Sequence, residues 1–136
     1  MKIFKFGGAS VKDANGVKNL VKVLQEIGYE NTLIVVSAMG KTTNLIEVVI
    51  KNYFDSSKEL QASVQEIVKC HNEILLDLFP NEQHQIYKDV QKLFEEMQGF
   101  LSRNKSPDYD FVYDQLVSFG ELVSTKIISA YLNSIS

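Results

Sequence analysis

Apolar and polar positions alternate in two rhythms along this chain, one for each kind of element. Residues 3–6 (Ile3-Phe4-Lys5-Phe6) are rich in β-formers and stop at Gly7-Gly8, which predicts a short strand. Asp13 offers an N-cap; Ala14, Val17, Leu20, Val21, Leu24 and Ile27 then recur at three-to-four spacing, and Gly28 closes the run. That pattern is an amphipathic helix with both end signals. Residues 32–36 are continuously apolar and β-branched after Thr32, as expected of a strand buried on both faces. Strand, helix and strand in this order predict a βαβ unit with a right-handed crossover.

From Asn44 onward the rhythm is helical. Asn44 with Glu47, and Ser56 with Glu59, have the spacing of capping boxes. Leu60, Val64, Ile67, Val68, Ile74, Leu75 and Leu78 form one apolar face ending at Phe79-Pro80. Asn81 is the expected cap of the next helix, carried by Ile86, Val90, Leu93, Phe94, Met97 and Leu101. Residues 102–107 read as a loop, and Pro107 suits the first turn of a last helix running to about Leu132. Two parallel strands with five helices do not complete a doubly wound domain, because parallel sheets need cover and usually more strands. The expectation is the first part of a longer protein; the alternative is a small helical domain with a βαβ appendage.

Composition narrows the function classes. The 136 residues are 45% apolar and 23% charged, which excludes disordered and collagen-like classes. A net charge of −3 disfavours nucleic acid and anionic membranes as partners. The one cysteine, Cys70, cannot form an internal disulfide, and no signal peptide or spanning run is visible, so a soluble cytoplasmic protein is expected.

Three stretches carry candidate chemistry. In Lys5-Phe6-Gly7-Gly8-Ala9-Ser10 an ammonium stands beside glycines whose backbone N–H groups can approach a phosphate. An ordinary Gly-Gly turn is the other reading. Val36-Ser37-Ala38-Met39-Gly40-Lys41-Thr42-Thr43-Asn44 begins at a strand's C-terminal end, where α/β sheets bind ligands. Gly40-Lys41-Thr42 imitates the end of a Walker A loop, but Val35 stands where that motif needs glycine. Ser37, Thr42, Thr43 and Asn44 remain near a strand end and a helix start that favours anions; the other, compatible reading is that Thr43 or Asn44 merely caps its own helix. In Ser118-Phe119-Gly120-Glu121-Leu122-Val123-Ser124, Glu121 is the sole charge between Asp114 and Lys126 on a helix apolar almost all round. Such a helix is normally buried, and a buried carboxylate needs a cation or several donors. Ser118, Glu121 and Ser124 thus read either as a binding wall for an amino group or as a structural Glu paired with a lysine of another helix. His71 and Cys70 are expected to serve packing rather than a metal.

Taken in order and at their separations, the three stretches resemble those of the aspartokinases, in the amino acid kinase family. Lys5-Phe6-Gly7-Gly8-Ala9-Ser10 is similar to Lys-Phe-Gly-Gly-Thr-Ser, with Ala9 in place of the threonine. Ser37-Ala38 with Thr43-Asn44 resembles Ser-Ala…Thr-Asn, and residues 118–124 resemble Ser-x-Gly-Glu-x-x-Ser. The resemblance covers essentially the whole chain. It implies an α/β class: the N-terminal portion of a three-layer αβα amino acid kinase fold, a parallel βαβ start followed by a mostly helical substrate-side segment. It implies that residues 1–136 are the substrate-side part of a kinase domain, with the nucleotide-binding half and regulatory ACT domains absent. The implied activity is ATP-dependent phosphorylation of the L-aspartate β-carboxylate, an opening step towards lysine, threonine, methionine and isoleucine, with Mg²⁺ accompanying ATP. Carried over, Lys5, Gly7, Gly8 and Ser10 face the phosphates, and Lys5 and Ser37 attend phosphoryl transfer. Ser37, Thr43, Asn44 and Glu121 hold the substrate, Thr43 at its carboxylate and Glu121 at its ammonium. The isolated chain is expected to be inactive, its open sheet edge prone to self-association, and the protein homo-oligomeric. Glutamate- or acetylglutamate-kinase-like activity and a non-catalytic helical interaction module are the alternatives.

Overall fold

A computed structural model describes residues 1–135. Strand β1 (Lys2–Phe6) and strand β2 (Thr32–Val36) pair in parallel, Lys2 opposite Thr32 through Phe6 opposite Val36. Helix α1 (Ala14–Ile27) makes the crossover between them. The predicted βαβ unit is thus present. The alternation of side chains along each strand sends Phe4, Phe6, Ile34 and Val36 towards the core. The opposite face carries Ile3, Leu33 and Val35, which are 63%, 50% and 40% exposed. Residues 32–36 are therefore covered on one face only, not on both as their continuous apolar run suggests. The helices pack on a single side of this sheet.

Local signals set α1 as read. The Asp13 carboxylate accepts from Gly16 N–H at 2.8 Å, and Gly28, at φ +80°, donates back to the Leu24 carbonyl at 2.8 Å. Ala14, Val17, Leu20, Val21 and Leu24 are buried.

Helix α2 (Thr42–Phe54) starts earlier than the Asn44 signal implies. Thr42 opens the helix and its hydroxyl bonds back to the Met39 carbonyl, while Asn44 lies exposed in the first turn. Helix α3 (Leu60–Leu78) is preceded by Ser57, not Ser56, whose hydroxyl accepts from Glu59 N–H at 3.0 Å. Before helix α4 (Gln85–Arg103), Asn81 closes a turn onto Gln83 N–H, and the cap is His84, whose Nδ1 accepts from Ile86 N–H at 3.0 Å. Helix α5 (Tyr109–Ile135) begins two residues past Pro107, with the Asp108 carboxylate accepting from Asp110 N–H at 3.0 Å. Asn104 orders the 102–107 loop: its amide donates to Tyr53 Oη at 2.9 Å and to the Ser106 carbonyl at 3.0 Å, tying the loop to α2.

The core lies where α2, α3, α4 and α5 meet. Val49, Leu75, Val112, Leu116, Val123 and Ile127 are each wholly buried there. No helix among the described residues is long and apolar enough to cross a membrane.

Candidate functional site

All three candidate stretches converge at the C-terminal end of the two strands. Ser37 N–H donates to the Phe6 carbonyl at 3.1 Å, which continues the ladder one step beyond the strands and joins the first loop to the second. The first loop folds as consecutive turns, Ser10 N–H to the Gly7 carbonyl at 3.0 Å and Val11 N–H to the Gly8 carbonyl at 3.2 Å. A side chain at Gly8 would stand 3.4 Å from the Ala38 carbonyl, so the two loops touch. Gly40 makes the contact tighter: its φ is +49°, and a Cβ there would lie 2.7 Å from the Lys12 carbonyl oxygen.

The third stretch arrives from α5. A Cβ on Gly120 would lie 3.1 Å from Cγ2 of Thr42 and 3.4 Å from Cβ of Ala38. Gly120 therefore lets α5 seat directly against the start of α2, and it places Glu121 on the same end of the molecule as Thr43 and Asn44. Lys5 is exposed and pairs with Val35 on the open face of the sheet, while Ser37 is half-buried.

Glu121 itself is exposed, contrary to the buried carboxylate that its apolar helix suggests. Ser118 is also exposed, whereas Ser124 is wholly buried. The three polar residues do not form one stripe. Gly120 and Ser124, one turn apart, face inward, and the same rotation turns Glu121 outward. Helix α5 is covered by α2, α4 and β2 along one side, which leaves Phe111 and Leu122 43% and 51% exposed.

The Ser124 hydroxyl is buried without a hydrogen-bond partner among the described residues. An unpaired buried hydroxyl carries its desolvation cost uncompensated. Ser124→Ala is therefore expected to stabilise the fold by about 1 kcal/mol, raising the melting temperature by about 3 °C. A calorimetric scan showing a lowered midpoint would mean that the hydroxyl is paired.

Beside the converging loops lies a cleft of about 550 Å³, lined among others by Gly8, Lys12, Gly40, Thr42, His71 and Asp77. Lys5, Ser37, Thr43, Asn44 and Glu121 are not in its lining. The structure thus brings the candidate loops together but places the chosen side chains around, not inside, the cleft beside them. Thr42 and His71 are the buried polar residues at this place. His71 sits at an inward position of α3, in register with Ile67 and Leu75, and packs edge-on against Phe94 with ring centres 5.3 Å apart. The packing role expected of it holds, but its polar contacts were not read from sequence. Its regular spacing among Val64, Ile67, Leu75 and Leu78 was the available signal.

Burial lowers the pKa of His71, and a hydrogen bond between Nδ1 and the Ile67 carbonyl, at 2.8 Å, works against that shift. Burial also raises the Cys70 thiol, helped by Glu66 and Glu73. The sign of the His71 effect on stability follows from proton counting. In the unfolded chain its imidazole titrates near 6.5, while in the fold it stays neutral to lower pH. Below that value the unfolded state binds a proton that the native state does not, so stability falls as pH falls. The expected slope is up to about 1.4 kcal/mol per pH unit until the lowered native pKa is reached. Urea titrations between pH 5 and 7.5 should show this slope flattened in His71→Gln, and an identical slope in both proteins would remove His71 from the linkage.

The amino acid kinase family matches residues 1–136, and the chain belongs to that family. Within it the likeness is to aspartokinases. Aspartokinase 2, chloroplastic, of Arabidopsis thaliana is 30% identical over 138 residues, covering 98% of this chain and 24% of the relative. Aspartokinase 1, chloroplastic, of the same plant is 30% identical over 145 residues, covering 98% of this chain and 23% of the relative. Among solved structures, E. coli aspartokinase III in complex with lysine and aspartate (T-state) superposes with a TM-score of 0.77 at 26% identity. The same enzyme in complex with aspartate and ADP (R-state) gives 0.78 at 24%; each alignment covers 98% of this chain and 29% of the other. This chain spans about a quarter of the length of these relatives.

Proposed function

We propose that this chain is the substrate-side part of an aspartate kinase, transferring the γ-phosphoryl group of ATP to the β-carboxylate of L-aspartate. The observation that carries the reading is the seating of Gly120 on Thr42, which brings Glu121 and Thr43 to one end of the fold. A zwitterionic substrate needs both an anion-binding and a cation-binding group there. Thr43, in the first turn of α2, lies where helix N–H groups favour a carboxylate. The exposed Glu121 is open to an ammonium group.

On this reading ATP is the co-substrate and its phosphates lie along the loop of Gly7, Gly8 and Ser10. Lys5 offsets the negative charge that builds on the transferring phosphoryl group, with Ser37 beside it. Phosphoryl transfer rests chiefly on such positioning and charge neutralisation. The residues present do not form a cage for Mg²⁺: among those described, no group of three His, Cys, Asp or Glu side chains is placed to hold a metal. On this reading Mg²⁺ would arrive with the ATP phosphates, a mode of binding that needs no such cage. The same reading assigns the remaining nucleotide contacts and any regulatory domains to sequence beyond these residues, makes the chain inactive on its own, and puts the reaction at the head of lysine-family amino-acid biosynthesis.

The test is made on the product of the native gene's full reading frame. With MgATP and hydroxylamine, L-aspartate should give the β-hydroxamate, and Glu121→Ala should mainly raise the aspartate requirement. Hydroxamate from glutamate or N-acetylglutamate but not aspartate would overturn the substrate. No acyl phosphate from any of them would favour a binding module.

A further inference from the structure

The cleft beside the converging loops is not used by the aspartate kinase reading. Of the residues that reading assigns to ATP or aspartate, only Gly8 is in its lining. Its volume of about 550 Å³ is that of a small-molecule pocket. Two walls supply its charge. The loop wall brings Lys12 and Lys41 together, because Gly40 seats its loop against the Lys12 carbonyl. The α3 wall carries Glu73 and Asp77, one helical turn apart. All four are exposed, and none makes an ion pair among the described residues. Asp13, also in the lining, is engaged in capping α1. Burial raises the Cys70 thiol in this lining; Glu66 and Glu73 raise it further, and Lys69 and Lys41 lower it, so both walls act at one place.

A buried polar atom of the lining lacks a donor. His71 is 1% exposed and lines the cleft. The Ile67 carbonyl, 2.8 Å from Nδ1, can only accept, so the proton of the neutral ring sits on Nδ1 and Nε2 is an acceptor. Among the described residues the polar group near Nε2 is Oγ1 of Thr42, 3.5 Å away, and it gives its one proton to the Met39 carbonyl. Thr42 lines the cleft as well, so the unpaired Nε2 lies at the cleft wall, where a ligand can supply the donor.

These features select a ligand. A bare anion would offer Nε2 nothing and would meet Glu73 and Asp77. A bare cation would meet Lys12 and Lys41. A zwitterion suits both walls: its ammonium donates to Nε2 beside the acidic α3 wall, and its carboxylate meets the lysines of the loop wall. Met39, Leu45 and Ile74 add apolar surface for a side chain. We propose that this cleft is a binding site for an α-amino acid with an apolar side chain, separate from Thr43 and Glu121. The proposal does not rest on the aspartate kinase reading.

The test is a calorimetric titration of the product of the full reading frame with L-leucine. Isocaproate, which lacks the ammonium, and isoamylamine, which lacks the carboxylate, are titrated beside it. Leucine should bind saturably, and each analogue about tenfold or more weakly. Lys41→Gln and Glu73→Gln, at exposed positions where substitution costs little stability, should each weaken leucine about tenfold. His71→Phe keeps a ring against Phe94 but no acceptor, and should do the same. In ¹⁵N spectra of this chain leucine should shift the amides of Gly40, Lys41 and His71, and aspartate should not displace it. Equal binding of either analogue would overturn the zwitterion. Leucine binding left unchanged by all three variants would put the ligand elsewhere and overturn the site, as would no binding at all. Displacement by aspartate would make the cleft the aspartate site itself and overturn a separate one. A failure of the kinase reading shows in the hydroxamate assay and leaves these outcomes untouched.

Discussion

Gly40→Ala is expected to destabilise the fold by about 3–5 kcal/mol, strain and overpacking together, while Gly28→Ala carries only backbone strain of about 1–3 kcal/mol. Both glycines have positive φ, +49° and +80°, and Gly28, with ψ +144°, lies outside even the left-handed helical region, so an alanine at either is strained. The difference lies in what surrounds them. A Cβ on Gly28 has nothing within 4 Å, whereas one on Gly40 would be 2.7 Å from the Lys12 carbonyl oxygen. That atom is backbone and cannot swing aside, so relief requires the 37–41 loop to lift from the 7–13 loop. Such overpacking typically adds about 1–3 kcal/mol. Because Thr42 begins α2 two residues later, the lift also disturbs the place where all three candidate stretches meet. Urea unfolding of the two variants against the parent measures this directly, at unchanged m-value. A loss of no more than about 1 kcal/mol in Gly40→Ala would mean that the Lys12 contact does not constrain the loop.

Gly40 also explains why the start of α2 was misread. Thr42, Thr43 and Asn44 are all competent to begin a helix, and Asn44 with Glu47 had the better local pattern. The choice is settled by the positive φ at Gly40 and the close approach of Lys12, which come from a segment some thirty residues away. Helix α1, by contrast, has its cap, apolar stripe and terminal glycine within one short run, and it forms as read. The burial of Glu121 failed for another reason. An apolar circumference shows that a helix can be covered all round, not how many neighbours arrive to cover it, and α5 has neighbours on one side. The same limit applies to β2, whose Leu33 and Val35 have the composition of a two-sided core strand but an open outer face. The convergence of the three stretches was legible only through the family resemblance. Spacing along the chain places each on an element, but nothing in spacing says that Gly120 rests on Thr42.

On the aspartate kinase reading, Lys5→Ala is expected to lower kcat about 100- to 1,000-fold, equivalent to about 3–4 kcal/mol of transition-state stabilisation. The KM for aspartate should change little, because an ammonium that meets the transferring phosphoryl group acts on charge present mainly in the transition state. The fold gives the experiment a clean background. Lys5 is exposed on the open face of β1, and a substitution at such a surface position usually shifts stability by no more than about 0.5 kcal/mol. Lost turnover therefore cannot be blamed on unfolding, which a urea titration of the same preparation checks. Glu121→Ala offers the opposite signature from another exposed position: a KM raised about tenfold or more with kcat largely kept, because the substrate's ammonium is the same in ground and transition states. If both variants instead moved KM alone, Lys5 would be a binding group, and the charge that drives phosphoryl transfer would have to come from residues outside this chain.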